Sequence, residues 1–462
     1  MRINKSITSN LMKRIFLIYA KFATFFFYLF LFGTLSFGRA FSAIHINTPL
    51  TPLFITEIFI LSNIPLLLYR FKDLAKLPIA FSAPLYVFFL YGCYLLFNGV
   101  ACRNILALRD ITLCGYILFL PIAFIHCDTL KKIGVLMPVV IMSNIVNLFL
   151  CWCLFTETYF SNAFFRDLIQ CKARVFNWGL YYGISISFII AFYEHIKAKT
   201  HRMLVLVLLA LNISMITVTS QRALWVATIL LGIFFYVILK RKFLKTHFIL
   251  APVIVLICGA AFCSYFKIAP PSLMDKFLNK SKSSILFFQG VPYEYQVKNE
   301  PMCKSFLGNV NWRFNIWRQT LKFCSDAHLA GKGFGKYPIY EIWGTQQYPH
   351  GINLDSGMVP AHNHIVTVFF KMGIVGLALF MYINAYVVMY VLSYLRRCAT
   401  IFIKSLLIAL LGAFVFWHAL ALFFDVIDSP PTSIFLWIIM GMIFAAIKID
   451  NNLLNDSKTG RI

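Results

Sequence analysis

The pair His362-Asn363, followed after nine residues by Gly373-Ile-Val-Gly376, stands where a long polar stretch runs into an apolar helix. His362 follows Pro360-Ala361, which places its imidazole at the mouth of that helix. With an intrinsic pKa of about 6.5, a histidine there can accept a proton from an alcohol near neutral pH. A polar interfacial residue is the plainer alternative, and the company of the histidine argues against it. His364, two positions on, points away on a helix, so a metal shared by the two is not expected, and it stands as the fallback base. Gly373 and Gly376, one turn apart, would let a neighbouring helix come close and fix the histidine-bearing end. Lys371 lies nine positions from His362, on nearly the opposite face and among apolar residues, so it must snorkel or pair.

The arginines are the second set. In Thr219-Ser-Gln-Arg-Ala-Leu-Trp225, Arg222 occupies the first turn of an apolar helix, where the helix dipole disfavours a cation. A bound anion would compensate it, and the free N–H groups of that turn would join the guanidinium in one anion site; an acidic partner is the alternative. Arg313 and Arg318 lie on the segment Asn311 to Phe323, about 140° apart if it is helical, so they cannot face one atom together. Arg313 is the one expected to face a substrate, because Trp317, four residues on, shares its face and can hold the guanidinium or stack on a sugar. An arginine fork suits phosphate oxygens and desolvates more readily than lysine.

These residues need a scaffold. The chain has 462 residues, 60% of them hydrophobic and 13% charged. A soluble chain is nearer 45–50% apolar and about 25% charged, so this is an all-α polytopic membrane protein. Its net charge of +25 does not point to nucleic acid, because the basic residues form short clusters between apolar spans. At about 20 residues per crossing, roughly twelve spans are expected: 15–37, 50–69, 78–98, 106–126, 133–155, 176–194, 203–219, 222–239, 247–266, 363–392, 404–424 and 431–448. Clusters such as Lys131/Lys132, Lys240 to Lys245 and Arg396/Arg397 fall on alternate loops, which puts both termini in the cytoplasm. On the other side, the short loops hold Arg39, Arg103, Arg109, Arg166, Arg174 and Arg222 with only Lys172, where headgroup anchoring competes with phosphate recognition as the reason.

The organisation is then helices one to nine over 1–266, a long outer loop over 267–361, and helices ten to twelve with a cytoplasmic tail over 362–462. Within the loop, Trp312, Ile316, Thr320 and Phe323 recur at helical spacing and give an amphipathic helix, ended by Gly331-Lys-Gly-Phe-Gly335. The 12 cysteines show no CxxC pair and no metal-ligand spacing with histidine; most read as small buried apolar residues, and a Cys303–Cys324 bridge is one possibility.

Taken in order, Ser220-Gln-Arg222-Ala-Leu-Trp, Arg313 with Trp317, Leu329-Ala-Gly-Lys-Gly-Phe-Gly335-Lys-Tyr, and His362-Asn363 nine residues before Gly373-x-x-Gly376 resemble the O-antigen ligase and polymerase superfamily of bacterial membrane glycosyltransferases. The similarity spans roughly Thr217 to Phe380. Where ligases usually carry Ser-Arg-Gly or similar, this chain has Gln221-Arg222-Ala223. The resemblance implies a twelve-helix, polyprenyl-phosphate glycosyltransferase (GT-C-like) fold in the inner membrane with a long periplasmic loop. It implies transfer of a glycan from undecaprenyl pyrophosphate to a sugar hydroxyl of lipid A-core, without metal, nucleotide or other cofactor. His362 would be the general base, Arg222 and Arg313, with Arg318 beside them, the pyrophosphate-binding set, and Asn363, Trp317, Gly373 and Gly376 their support. A polymerase on the same lipid carrier is the nearest alternative, transfer of glycan to protein a further one, and a lipid-linked sugar transporter the alternative of another class. Transport predicts mid-membrane ionisable groups and symmetric halves, whereas the candidate residues gather at one face.

Overall fold

The computed structural model describes residues 5–48, 52–102, 104–160, 176–218, 222–239, 313–314, 316–338, 361–424, 426–427 and 429–459. Helices occupy eleven of the twelve expected ranges, and the other, 247–266, lies outside the described residues. The main ones are α1 (Lys5–Phe37), α2 (Ile55–Tyr69), α3 (Ile79–Ala101), α4 (Phe119–His126), α5 (Leu136–Phe160), α6 (Phe176–Phe192), α7 (Lys199–Val218), α8 (Arg222–Leu239), α9 (His364–Leu395), α10 (Ile401–Ala421) and α11 (Pro430–Lys458). Among the described residues, eight helices are long and apolar enough to cross a bilayer, and two shorter apolar helices are Ile55–Tyr69 and Ala223–Leu239. This is an all-α, multi-pass membrane protein.

Burial sorts the helices into a centre and a rim. The apolar stretch of α11 is 94% buried and that of α10 72%, against 22% for α1 and 28% for α3. Without a hydrophobic drive between helices in lipid, close packing at small residues decides who neighbours whom. A side chain at Gly183 of α6 would collide with the ring of Phe416 of α10, and one at Gly179 with Leu224 of α8. Those two contacts set a level: the first turn of α8 lies beside the last turn of α10.

Two expectations change. The range 106–126 does make one candidate span, Leu106–His126, but not a uniform α-helix: it enters as a 3-10 turn (Ile105–Asp110) and passes through Ile111–Cys114 and Gly115–Leu118 before α4 begins. More consequentially, 363–392 is not one straight span. Gly373 has φ +65° and ψ −166°, a non-helical conformation reserved for glycine, and it divides α9. The His364 and Phe380 rings lie 5.8 Å apart. Sixteen residues of straight helix would hold them about 24 Å apart, so residues 364–372 fold back on residues 374–395. The second segment alone is about 33 Å long and suffices for a crossing.

At the opposite end of the bundle, polar residues lock the turns. Arg70 pairs with Asp73 (2.6 Å) and with Asp128, and Lys132 pairs with Asp128 (2.7 Å). Burial alone would raise the Asp73 carboxyl, but hydrogen bonds from Arg70 and Lys76 and the nearby charges outweigh it and hold it at about 2. A carboxylate held below its unfolded value of roughly 4 stabilises the fold above that pH, and the contribution disappears as pH falls toward 2. The thermal transition of the purified protein is therefore expected to fall between pH 4 and about 2, with a flatter decline in Asp73→Asn.

Candidate functional site

The candidate residues meet where the loop helix, the start of α9 and the end of α10 converge. Residues 313–314 and 316–323 are helical, as the spacing predicts. Ile316, Thr320 and Cys324 turn inward and are buried, while Arg318 is exposed. Arg313 is half-buried, with its guanidinium 5.8 Å from the Phe424 ring centroid, just past the end of α10. Its Nε is buried without a hydrogen-bond partner. Burial pulls this guanidinium below the ordinary arginine value, yet arginine remains charged in any such setting. The Trp317 Nε1 donates to the Ala361 carbonyl (2.8 Å), which ties the loop helix to the residue before His362.

His362 has φ +52°, the one non-glycine residue with positive φ among the described residues, and it is half-buried. Histidine tolerates that region better than most residues, and such a conformation persists only where the surroundings impose it. Here Ala361 is held by Trp317 on one side and Asn363 by two elements on the other. Asn363 caps α9, its Oδ1 accepting from Ile365 N (2.9 Å) and Val366 N (3.2 Å), while its Nδ2 donates to the Leu422 carbonyl (3.1 Å). Leu422 and Phe424 thus bring Asn363 and Arg313 to the same short turn.

His364 is 2% exposed and caged by the rings of Phe380, Trp417 and His418 at 5.6–5.9 Å. It is almost wholly shut away from solvent, whereas His362 keeps partial exposure. Arg222 opens α8, level with the last turn of α10, so its backbone is at this end of the bundle; its side chain, like those of Arg39, Arg103, Arg166 and Arg174, lies outside the described residues. Arg109 is exposed.

Gly373 does permit a close approach, but by loop backbone, where a neighbouring helix was expected. Leu329 O and Gly331 N would stand 2.2 and 2.5 Å from a side chain at Gly373. The loop fills the break by bonding both of its sides. Lys332 N donates to Phe370 O (2.7 Å) and Gly333 N to Lys371 O (3.1 Å), while Ile374 N donates to His328 O (2.8 Å) and Val375 N to Leu329 O (3.4 Å). A break in a membrane helix is tolerated where other backbone satisfies the freed groups, and this loop does so. A side chain at Gly376 would meet Met372 of the same helix.

Sequence reasoning gave Lys371 a need to snorkel or pair but missed its partner beneath this junction. Lys371 pairs with Asp110, each 1% exposed. Asp110 also accepts from Gly335 N (2.7 Å) and from the Tyr337 hydroxyl (3.2 Å), and the Lys371 ammonium sits 4.5 Å from the Tyr337 ring centroid. The signal was present: an acid and a lysine in two apolar passages must each find a partner. Removing one partner of such a buried pair typically costs about 3–5 kcal/mol. Cys324 is a buried free thiol, and Cys303, its suggested partner, lies outside the described residues.

Residues 183–381 match a family model described as O-antigen ligase. The matched stretch belongs to the O-antigen ligase/polymerase superfamily. It runs from α6 past the break in α9, so Arg222, Arg313, His362 and Gly373 all fall inside the O-antigen ligase region and Asp110 outside it. No curated protein matches the chain significantly. Members of the O-antigen ligase family are glycosyltransferase-like enzymes that act with lipid-linked glycans in lipopolysaccharide biosynthesis.

Proposed function

We propose that this chain is an O-antigen ligase of the bacterial inner membrane, with both termini cytoplasmic and its site on the periplasmic side. It transfers a glycan from undecaprenyl pyrophosphate to a sugar hydroxyl of lipid A-core. The observation that carries this reading is the convergence, at the end of α10, of Arg313 and the Ala361–Asn363 turn, both of which lie inside the stretch that matches the ligase family.

His362 takes the proton of the acceptor hydroxyl as that oxygen bonds to the anomeric carbon. The bond from that carbon to the pyrophosphate oxygen breaks, and undecaprenyl pyrophosphate leaves with the electron pair. Arg313 carries an unpartnered Nε in a largely desolvated position, which suits a group waiting for phosphate oxygens, and charge stabilisation is strong where water is scarce. Arg222 contributes from the start of α8, where helix N–H groups also favour an anion. Arg318 is exposed, so it serves the rim or the lipid headgroups and not the diphosphate.

The test is transfer by purified protein in liposomes holding lipid-linked donor and core acceptor. New glycan on the core supports the ligase, elongation of the donor without core would make it a polymerase, and movement of intact donor without a new bond would make it a transporter. In that assay Arg313→Lys is expected to lose at least about 100-fold, because a point charge cannot reproduce the planar fork, while Arg318→Ala stays near wild type. Near-normal transfer by Arg313→Lys would remove the diphosphate from this position.

A further inference from the structure

Three elements meet at one buried carboxylate. Asp110 ends the 3-10 turn after α3, Lys371 lies in the folded-back half of α9, and Gly335 and Tyr337 belong to the loop. Asn104 adds a second tie to the same loop, its Nδ2 donating to the Gly335 carbonyl (3.0 Å). From α3, the Tyr91 hydroxyl donates to Ala330 O (2.8 Å) and Met372 O (3.2 Å), bridging the loop and the break itself. Gly331, Gly333 and Gly335 all have positive φ, so the loop follows a path that its own residues alone do not enforce.

That loop continues directly from the helix bearing Arg313 and Trp317. Phe323, at its end, stacks on Phe370 (6.5 Å), one residue before Lys371. We infer that the Asp110–Lys371 pair, with Tyr337, is a positioning device for the reaction: it seats residues 328–337 in the break of α9 and so fixes where the preceding helix presents Arg313 to the His362 turn.

A purely structural need would be met by apolar packing, and buried ion pairs are seldom the most stabilising choice. What a buried pair does supply is a single register. Among the described residues Asp110 is the carboxylate paired with Lys371, and it receives lysine, tyrosine and loop backbone together only when all three are seated. Asp110 and Lys371 touch no reacting atom and act through Arg313, so the inference rests on the reading of Arg313 given above.

The test uses full-length protein in liposomes, with transfer rates normalised to monodisperse, folded protein. Asp110→Asn and Lys371→Met are each expected to lose at least 10-fold in kcat/KM, mostly through KM for the lipid-linked donor. The double variant Asp110→Asn/Lys371→Met, in which both members of the pair are neutral, is expected to recover at least half of that loss on a logarithmic scale. Tyr337→Phe keeps the ring over Lys371 and loses one hydrogen bond, and it serves as the mild probe, at about 3-fold, if the single variants fail to fold. Independently of activity, tryptic cleavage after the exposed Arg318 and Lys322 is expected to accelerate in Asp110→Asn and to return toward wild type in the double variant. Folded single variants with wild-type kinetics and wild-type cleavage, or a double variant no better than the worse single, would overturn the inference. If cleavage responds as expected while Arg313→Lys transfers normally, the seating stands and the diphosphate role of Arg313 falls.

Discussion

Gly373→Ala is expected to abolish transfer and to lower the yield of folded protein. The backbone at this residue has φ +65° and ψ −166°, where a non-glycine residue costs about 1–3 kcal/mol. The added methyl would also stand 2.2 Å from Leu329 O and 2.5 Å from Gly331 N. Both are backbone atoms of the seated loop and neither can swing aside. Relief requires the loop to leave, and with it go the four hydrogen bonds that Lys332, Gly333, Ile374 and Val375 donate across the break. At about 1 kcal/mol each, their loss adds roughly 4 kcal/mol to the strain. Gly232→Ala is the matched control: nothing stands within 4 Å of a side chain there, so transfer is expected to stay at wild-type level. Transfer assays beside size-exclusion profiles of both variants decide the matter, and a folded, active Gly373→Ala protein would contradict the described break.

His362→Asn is expected to reduce transfer by about 10²- to 10⁴-fold, the usual worth of a positioned general base. Asparagine is the informative replacement because it accepts the same left-handed backbone, φ +52° here, while lacking a basic nitrogen. Folded yield and thermal transition should therefore hold. His364→Ala should behave the other way. It empties a cage of Phe380, Trp417 and His418, so the thermal transition drops, and any loss of transfer should track the loss of folded protein. If His364→Ala is fully folded yet inactive while His362→Asn transfers normally, the base has been assigned to the wrong histidine.

The helices were legible because about twenty apolar residues leave the chain little alternative in a bilayer. The loop helix was legible too, from the spacing of Ile316, Thr320 and Phe323. The break in α9 was not. Residues 363–392 are mostly apolar, Lys371 reads as a residue that snorkels or pairs, and glycines are ordinary in membrane helices, so composition alone does not distinguish a kink from a span. Only the loop docking at Gly373 and the ring contact between His364 and Phe380 reveal it, and both are tertiary. The Asp110–Lys371 pair joins residues 261 positions apart. The sequence shows that each needs a partner, without showing which. The bond from the Trp317 indole to the Ala361 carbonyl spans 44 positions, so the spacing of Arg313 and Trp317 on one helix face could not announce it.

The doubling-back of α9 carries a chemical consequence. Phe380 lies about 10 Å down its helix from the apex at Gly373, and His364 meets Phe380, so the turn bearing His362 lies near the level of Phe380 and not at that apex. Under the proposed reaction, an activated sugar held at that level would be sheltered from the aqueous compartment, where water would compete with the intended alcohol. How firmly the glycine-rich plug stays seated should therefore govern how much donor is wasted by hydrolysis for each glycan delivered.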